Sequence, residues 1–357
     1  MPDFSAFSTP IIFVVMFLIL VVVHELGHFV TAKRAGVQVD EFGFGFPPRL
    51  FALRRGETEY SLNLLPLGGF VRMLGEEDPT HPRSLAARPA GTRLLVIGAG
   101  PVMNMVLAVL LFGGSFMLPR ETRVGPVQVA RVMPGSPAEL AGVQPGDVIL
   151  QVNDRPIRSL PDVHYNILLN VGSEVTFRLQ RDGGQSEARM TPRWKPPPGE
   201  GEVGIVIGMP QEEIVTVSYA PWEALFLGAR QSFDILSLTR NGILSMFARG
   251  FQSDAVVGPV GIYQATDRVA QTGTGNLIYL AAFLSMNLGI LNILPIPALD
   301  GGRILFILLE LVRGGRRVAP RKEGFVHLVG FGLLLALIVV ITLNDVLRIV
   351  RGENLFQ

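Results

Sequence analysis

Four long apolar runs divide the chain, at residues 10–32, 94–118, 277–299 and 325–347. Each run is long enough to cross a bilayer, because about 20 helical residues span a hydrocarbon core roughly 30 Å thick. Between the second and third runs, short stretches alternate apolar and polar positions, as strands and turns of a soluble domain do. The pattern therefore predicts a membrane protein with four transmembrane helices and one soluble insertion.

The short loops between these runs predict how the helices are oriented. Residues 33–93 carry nine Lys or Arg, and residues 303–322 carry six. Because short basic loops stay in the cytoplasm, both segments are expected there. The long insertion and both termini are then expected outside the cytoplasm. The first and third spans run parallel, so their cytoplasmic ends are expected at the same depth.

Composition supports a membrane protein and limits its chemistry. The chain is 48% hydrophobic and 17% charged, with a mean hydropathy of +0.40, which is too apolar for an ordinary soluble protein. A net charge of +1 argues against nucleic acid as a partner. Cysteine is absent, so a bound metal must use histidine and carboxylate ligands.

The most informative motif is HELGH, which lies in the first apolar run and contains His24, Glu25 and His28. Two histidines four residues apart share one face of a helix and can hold a zinc ion, while the glutamate can act as general base on water. Ionisable groups inside a membrane cost about 2.5 kcal/mol or more, which disfavours an incidental structural role. The motif predicts an intramembrane site for one Zn²⁺ per chain.

A second motif, NILPIPALDGG, ends the third apolar run. Asp300 is the acid at the cytoplasmic end of that run, where a partner for the two histidines is expected. Pro295 and Pro297 break the helix, and Gly301 lets the backbone turn. Irregular backbone at membrane depth occurs only where it lines a cavity or is buried in protein. The alternative is an ordinary aspartate at a helix end on the surface.

Three further segments carry weaker signals. Residues 40–75 have two apolar and aromatic stretches around a turn at residues 54–57, which predicts a β-hairpin. It either dips into the membrane interface beside the metal site or packs as a cytoplasmic hairpin on the helix ends. Asn104 interrupts the second run, and either lines a wet cavity or bridges two helices, of which we prefer the second. Residues 221–250 are expected to form one or two amphipathic helices on the outer membrane surface.

The soluble insertion contains SPAELAGVQPGDVILQVN, at residues 136–153, which resembles a PDZ domain of the bacterial type. Such domains bind chain termini or extended peptides along a strand edge. One copy is present. The expected fold class is therefore an α-helical membrane protein with four transmembrane helices, a cytoplasmic-side membrane-associated β-hairpin and an inserted α+β PDZ domain.

Taken together, HELGH, GAGPVMN, the PDZ-like insertion and NILPIPALDGG resemble the site-2 intramembrane metalloproteases, and most closely the bacterial regulator-of-sigma-E protease group. The resemblance implies that His24, His28 and Asp300 ligate zinc and that Glu25 is the catalytic base. It also implies that Asn292 helps to hold the substrate. The best-known members carry two tandem PDZ domains, whereas this chain has one.

The expected function is hydrolysis of peptide bonds within transmembrane segments of single-pass substrates in the bacterial cytoplasmic (inner) membrane, such as a trimmed anti-sigma factor or a remnant signal peptide. A peptide or chain terminus at the PDZ domain and the lipid bilayer are the other expected partners. Asn104, Pro295, Pro297 and Gly301 are expected to support the site. The alternative is a non-catalytic adaptor with a structural zinc site, and a transporter is disfavoured because internal repeats are lacking.

The expected segments are as follows. They are a first transmembrane helix (1–35), a hairpin or re-entrant region (36–92), a second transmembrane helix (93–119), a PDZ domain (120–200), a strand with amphipathic helices (201–275), a third transmembrane segment (276–302), a cytoplasmic loop (303–324), a fourth transmembrane helix (325–350) and a tail (351–357). In that tail, ENLFQ resembles a protease-tag remnant. The remaining histidines, His81, His164 and His327, match no motif and are expected to be structural or surface residues.

Overall fold

The computed structural model describes residues 8–76, 78–250 and 257–352, so the ENLFQ segment lies outside the described residues. In chain order the helices are α1 (Ser8–Arg34), α2 (Ala90–Met117), α3 (Pro137–Leu140), α4 (Leu160–Leu169), α5 (Pro221–Arg249), α6 (Pro259–Gln271), α7 (Thr274–Ile293), α8 (Asp300–Val312) and α9 (Pro320–Val350). The strands are β1 (Val39–Arg55), β2 (Thr58–Met73), β3 (Arg120–Val124), β4 (Val127–Val132), β5 (Val148–Val152), β6 (Arg155–Pro156), β7 (Val175–Arg181), β8 (Gly184–Met190), β9 (Ile205–Gly208) and β10 (Glu213–Val217).

These elements form two compact units. The first contains the described residues up to 115, residues 221–232 and the described residues after 256. The second contains residues 116–220 and the described residues from 233 to 250. All residues of the predicted metal site belong to the first unit.

Four helices of the described chain are long and apolar enough to cross a membrane, which confirms the number of predicted spans. They are Thr9–Arg34, Ala90–Met117, Thr274–Ile293 and Pro320–Val350, with mean hydropathies of 2.5, 2.3, 1.5 and 2.7. The last helix has few buried positions, and most of its large apolar side chains are exposed. Such a surface suits contact with lipid, because apolar side chains there need no protein partner.

The third span ends earlier than the sequence pattern predicts. Helix α7 stops at Ile293, residues 294–299 are not helical, and a new helix begins at Asp300. The two prolines in this segment lack the N–H that a continuing helix needs. Residues 303–312, expected in a loop, continue α8 because apolar residues there recur at helical spacing. Asp300 therefore lies in the first turn of a separate helix.

The sequence predicts a simple β-hairpin between the first two spans, but its two long strands fold back on themselves to give further strand pairings. Its turn at Gly56 is present, but both strands bend, and residues 41–44 pair on two sides. Their register with residues 69–72 is antiparallel, and their register with residues 59–62 is parallel. Residues 51–54 pair with the far side of residues 59–62. The segment at residues 69–73 therefore forms an edge of the sheet within the described chain.

The second unit contains a sheet in the order β8-β7-β5-β4-β9, with β6 paired to β5. Alternate residues of β7, namely Val175, Phe177 and Leu179, are buried in its core, as expected for a strand with one face covered. Strands β3 and β10 form a separate antiparallel pair in which Val124 lies opposite Glu213. The chain thus enters and leaves this domain side by side.

Residues 221–249 form the single long helix α5, which is the first of the two expected arrangements, one helix or two. Its exposed aromatic side chains include Trp222 and Phe226 in the first unit, at 74% and 69% exposure. In the second unit, the Asn241 amide donates hydrogen bonds of 2.9 Å to the carbonyl oxygens of Leu168 and Leu169. These bonds satisfy carbonyl groups at the C-terminal end of α4, which have no partner within the helix.

An ion pair between the buried Asp147 and the partly exposed Arg181 stabilises the second unit. Arg181 Nε and Nη2 donate to the two carboxylate oxygens of Asp147 at 2.7 and 2.8 Å, and the backbone N–H of Gln144 donates to Asp147 Oδ2 at 2.9 Å. Burial alone raises the pKa of Asp147, but these hydrogen bonds lower it more, so the pKa lies below its ordinary value of 3.8. The stabilisation is fully present above that ordinary value and is lost as the pH falls through the lower folded-state pKa.

We expect Asp147→Asn to lower the unfolding temperature of the second unit by several degrees at pH 7, because the charged partner of Arg181 is lost. Hydrogen exchange of peptides from residues 127–190 of the full-length protein, measured against temperature, checks this. Asp154→Asn, at an exposed position, is the control. The difference between wild type and Asp147→Asn should shrink as the pH is lowered below 3.8, and a constant difference would contradict the assignment.

Candidate metal centre

Helix α1 carries three residues of the predicted site, His24, Glu25 and His28, within little more than one helical turn. His24 and His28 are buried, at 9% and 7% exposure, and belong to a buried stripe that also includes Met16 and Leu20. These positions are four residues apart and therefore share one face of the helix. The imidazole rings meet edge to face, with centroids 4.8 Å apart.

Asp300 reaches the two histidines from a segment about 270 residues away in the chain. Its Oδ2 lies 3.1 Å from His24 Nε2 and 3.3 Å from His28 Nε2. The two Nε2 atoms lie 3.2 Å apart. Within the described residues these three side chains form the one group of three or more potential ligands close enough to share an ion.

The spacing of the three atoms fits a zinc ion. Zinc binds imidazole nitrogen and carboxylate oxygen at about 2.0–2.2 Å in a tetrahedral arrangement, which separates neighbouring ligand atoms by about 3.3 Å. Asp300 Oδ2 is buried and makes no hydrogen bond that satisfies ordinary geometry, although two imidazole nitrogens lie beside it. Buried polar atoms are normally paired, so this orphaned oxygen is explained by a cation.

The second nitrogen of His28 fixes its tautomer. Nδ1 lies 2.9 Å from the backbone carbonyl oxygen of Val96 in α2. A carbonyl oxygen only accepts, so the proton is on Nδ1 and Nε2 presents its lone pair. A second-shell bond of this kind is the usual way in which a protein orients a metal-ligating histidine.

Asn104 supports His24 in the same manner. Its side-chain amide lies 3.3 Å from His24 Nδ1, and its Oδ1 is buried without a hydrogen-bond partner. The nitrogen and oxygen of an amide are assigned from the hydrogen-bond network. Exchanging them lets Oδ1 accept the Nδ1 proton of His24, satisfies the orphaned oxygen and frees Nε2 for a metal. Asn104 thus bridges α2 and α1, and its backbone oxygen also accepts a bond of 2.8 Å from Ser285 of α7.

Glycines let α1 and α2 approach closely at the histidines. A Cβ at Gly100 would lie 2.3 Å from His28 Nε2 and 2.9 Å from His24 Cε1. A Cβ at Gly27 would lie 2.4 Å from the carbonyl oxygen of Ala99. Real side chains do not approach so closely, so glycine is required at both positions. Gly100 and Asn104 are four residues apart and face the site together.

A cavity of about 460 Å³ opens beside the three potential ligands and is also lined by Glu25. Residues 69–73, the edge segment of the folded sheet, form another part of its wall. A Cβ at Gly69 would lie 3.1 Å from Glu25 Cγ, so the sheet passes close to the glutamate. An extended backbone edge, an acid and the three potential ligands thus share one space.

The start of α8 is tightly fixed. A Cβ at Gly301 would lie 2.1 Å from the carbonyl oxygen of Leu294, so the helix begins against the backbone of the preceding segment. One turn later Arg303 donates a hydrogen bond of 2.6 Å to Glu76. Further along, Glu310 accepts from the buried Arg93 of α2 at 2.7 Å. These contacts hold the helix that carries Asp300 against the rest of the first unit.

Glu310 is charged at neutral pH. Burial raises the pKa of Glu310, but the ion pairs with Arg93 and Arg317 lower it more, so the pKa lies below its ordinary value. Arg317 Nε lies 3.2 Å from the second carboxylate oxygen of Glu310. A buried pair of this kind is sensitive to loss of either partner, because the remaining charge is left uncompensated.

The structure brings together most of the residues predicted from the sequence. His24, Glu25, His28 and Asp300 line one cavity, and Asn104 contacts His24. Pro295 and Pro297 lie in the non-helical segment, as their chemistry requires. Gly301, expected to let the backbone turn, lies in the first turn of α8, where the absence of a Cβ permits the close approach to Leu294. Asn292 is half-buried near the end of α7 and is not among the residues that line this cavity.

Two of the three remaining histidines are exposed, as expected of surface residues. They are His81 and His164. His327 differs, because its Nδ1 accepts a hydrogen bond of 3.0 Å from the backbone N–H of Ala298, two residues before Asp300.

The sequence does not identify all of the groups that surround the three potential ligands. The carbonyl of Val96 carries no side-chain signal and is found only by folding α2 against α1. Gly100 had a usable signal, because it precedes Asn104 by four residues in GAGPVMN and so shares its face. His327 had none, since its partner is a backbone N–H far away in the chain.

Comparisons with known proteins agree with this site. Residues 12–337 match the model of peptidase family M50. Similar proteins include zinc metalloprotease RasP of Oceanobacillus iheyensis, 31% identical over 96% of the chain and 99% of the relative. A putative zinc metalloprotease of Clostridium perfringens is 38% identical over 93% of the chain and 96% of its own length. Regulator of sigma-W protease RasP of Bacillus subtilis is 30% identical over 96% and 99%, respectively.

We expect Gly100→Ala to weaken zinc binding by about 10–100-fold, as changes that disturb the surroundings of metal ligands do. The added methyl group would occupy space next to His28 Nε2. Zinc affinity of the purified protein, measured by competition with a chromogenic chelator, checks this. Gly98→Ala is the matched control, because a Cβ at Gly98 meets nothing within 4 Å. Equal zinc affinity in the two variants would contradict the close approach of α2 to the ligands.

Proposed function

The chain belongs to peptidase family M50, the site-2 protease family of zinc metalloproteases, and we propose that it cleaves peptide bonds within transmembrane segments of other membrane proteins. The observation that carries the proposal is the set of two imidazole nitrogens and one carboxylate oxygen within 3.3 Å of one another, next to Glu25, in a bundle of membrane-spanning helices. The four apolar helices and the bacterial relatives support a bacterial inner-membrane protein.

In this proposal His24 and His28, through Nε2, and Asp300, through Oδ2, hold the zinc ion. The Val96 carbonyl and the Asn104 amide favour the tautomers that leave both Nε2 lone pairs free, which supports the assignment. The ligand set also agrees with a chain that has no cysteine. Three protein ligands leave a fourth position open, as in other catalytic zinc sites.

A zinc ion held by these residues would supply Lewis acidity, which would polarise the scissile carbonyl and make water more acidic. The Glu25 carboxylate lies in the same cavity, takes a proton from the attacking water and later delivers it to the nitrogen of the departing amine. The C–N bond breaks, and the products are a carboxylate and an amine. Asn292 is not among the residues that line the cavity. Its role in substrate binding therefore rests on the sequence resemblance alone.

The edge segment at residues 69–73 is the proposed holder of the substrate. A peptide bond inside a helix is shielded, so the substrate must unwind before water reaches it. An exposed strand edge offers N–H and C=O groups that pair with an extended peptide and replace the hydrogen bonds lost on unwinding. The position of this edge along the wall of the cavity, beside Glu25, supports that role.

We expect Glu25→Gln to reduce cleavage of a model transmembrane substrate by about 10²–10⁴-fold, the usual contribution of a general base. Zinc content per chain should remain that of the wild type, because Glu25 is not one of the three proposed ligands. Metal analysis and a reconstituted cleavage assay check the two parts. Asp300→Ala serves as the contrasting variant, since it should lose zinc as well as activity. Cleavage by Glu25→Gln at the wild-type rate would show that another group is the base.

The second unit is proposed to be a PDZ domain that selects substrates. Its sheet order, its two helices and the SPAELAGVQPGDVILQVN motif support this, and β9 is an edge strand that pairs with β4. An edge strand of this kind accepts an extended peptide or chain terminus. The charge of the short loops supports a position outside the cytoplasm for this domain. It would then exclude substrates whose outer part is still bulky and admit those already trimmed.

The antiparallel pair of β3 and β10 allows a test of this gate, by which we mean the proposed exclusion of untrimmed substrates by the second unit. Residues 126–211 can be replaced by a two-residue turn, since Gly125 lies against the backbone of Gln211 and Val124 pairs with Glu213. We expect the shortened protein to keep its zinc and to cleave an untrimmed substrate that the wild type rejects. Cleavage of trimmed and untrimmed substrates by both proteins is the measurement. A shortened protein that still rejects the untrimmed substrate while cleaving the trimmed one would contradict the gate.

A further inference from the structure

Helix α9 makes a specific polar contact next to the proposed metal ligand. The backbone N–H of Ala298 donates a hydrogen bond of 3.0 Å to Nδ1 of His327. Because Nδ1 accepts, the neutral imidazole carries its proton on Nε2. Nε2 is buried and has no hydrogen-bond partner among the described residues. The ring also packs against Phe306 of α8, with centroids 5.6 Å apart.

The backbone at Ala298 needs such a contact. Its φ is +80°, in the left-handed region that residues other than glycine rarely adopt. A conformation of this kind is unfavourable by itself and persists only where its surroundings impose it. Pro295 and Pro297 have no N–H, so few backbone donors in residues 294–299 can hold the segment. The bond to His327 is therefore one of few polar restraints on it.

The same face of α9 packs against the neighbouring proline. A Cβ at Gly330 would lie 2.3 Å from Pro297 Cβ and 2.8 Å from the carbonyl oxygen of Pro297. Gly330 is buried and His327 is half-buried, whereas the residues between them, Leu328 and Val329, are exposed. The two contact positions are three residues apart and so face the turn together. Helix α9, most of whose large apolar side chains are exposed, thus docks through this face on the segment that leads into Asp300.

The turn separates two spaces. Ala298 and Leu299 line the cavity that holds the proposed ligands, and Ile296 and Pro297 line an apolar groove of about 390 Å³ along α9. A displacement of the turn towards the groove would carry Asp300 away from the histidines, because α8 begins directly after it. The position of the carboxylate therefore depends on what fixes the turn from the groove side.

We propose that His327 is a positioning residue, which holds the left-handed turn at Ala298 through Nδ1 and so places Asp300 between His24 and His28. The inference rests on the proposed ligand role of Asp300. It requires an acceptor at the place of Nδ1, not merely a ring that fills space. Bonds made directly to metal-ligating side chains are worth about 10–100-fold in metal affinity, and we expect an effect of that order from this bond, which acts through the backbone that carries Asp300.

Two variants separate the hydrogen bond from packing. In His327→Asn, the side-chain oxygen can take the place of Nδ1 and accept from Ala298, whereas His327→Leu fills space without an acceptor. We expect His327→Leu to bind zinc 10–100-fold more weakly and to lose kcat with KM nearly unchanged. His327→Asn should stay within a few-fold of the wild type in both. His164→Leu, at an exposed histidine, is the matched control. Equal zinc affinity in His327→Leu and wild type would overturn the proposal, as would an Asn variant no better than the Leu variant.

Hydrogen exchange at the Ala298 amide gives a readout that does not depend on zinc or on cleavage. Peptides covering residues 294–299 report few amides, since two of the six residues are proline. We expect Ala298 to be protected in the wild type and in His327→Asn, and to exchange faster in His327→Leu. If His327→Leu does not fold, unprotected exchange of Ala298 in the wild type would still overturn the proposal. Asp300→Ala that keeps its zinc would instead refute the proposed ligand set and leave the exchange result standing.

Discussion

Three potential ligand atoms that lie close together in an apolar helical bundle are the constraint on which the rest of the first unit depends. Two imidazole nitrogens and a carboxylate oxygen lie at mutual distances of 3.1–3.3 Å. Without a cation, their lone pairs would repel in a medium that screens charge poorly. The glycines of α1 and α2, the early end of α7 and the separate start of α8 all serve to bring these atoms to one point.

The order of folding events around this point is constrained by the same chemistry. The two histidines come from one helix and are close as soon as α1 forms, whereas Asp300 must arrive from the far end of the chain. Its helix is held by Arg303, by Arg93 through Glu310, and by the close approach of Gly301. None of these contacts involves a metal, so the protein can position the third proposed ligand, Asp300, independently of zinc.

Motifs indicated the side chains of the candidate site, and the structure showed which contacts hold them. HELGH and LDGG could be found in the sequence because side-chain chemistry and helical spacing identify them. The number of spans followed from hydropathy, since length and apolar character are properties of each segment alone. The carbonyl of Val96, the doubled pairing of residues 41–44 and the bond from Ala298 to His327 could not be found. Each of these involves a backbone group and another part of the chain. Backbone groups are nearly the same in every residue, so the amino-acid sequence does not indicate which of them will form such a contact.

The paired strands β3 and β10 have a consequence for the folding pathway of the second unit. Val124 and Glu213 are about 90 residues apart in the chain yet lie opposite each other. Closing a flexible loop of that length costs about 4 kcal/mol of chain entropy, more than a ladder of five residue pairs is expected to return. Once the intervening sheet has folded, its two ends are already neighbours and that cost disappears. The short ladder therefore forms last, after the domain between its strands, and reports on whether that domain has folded.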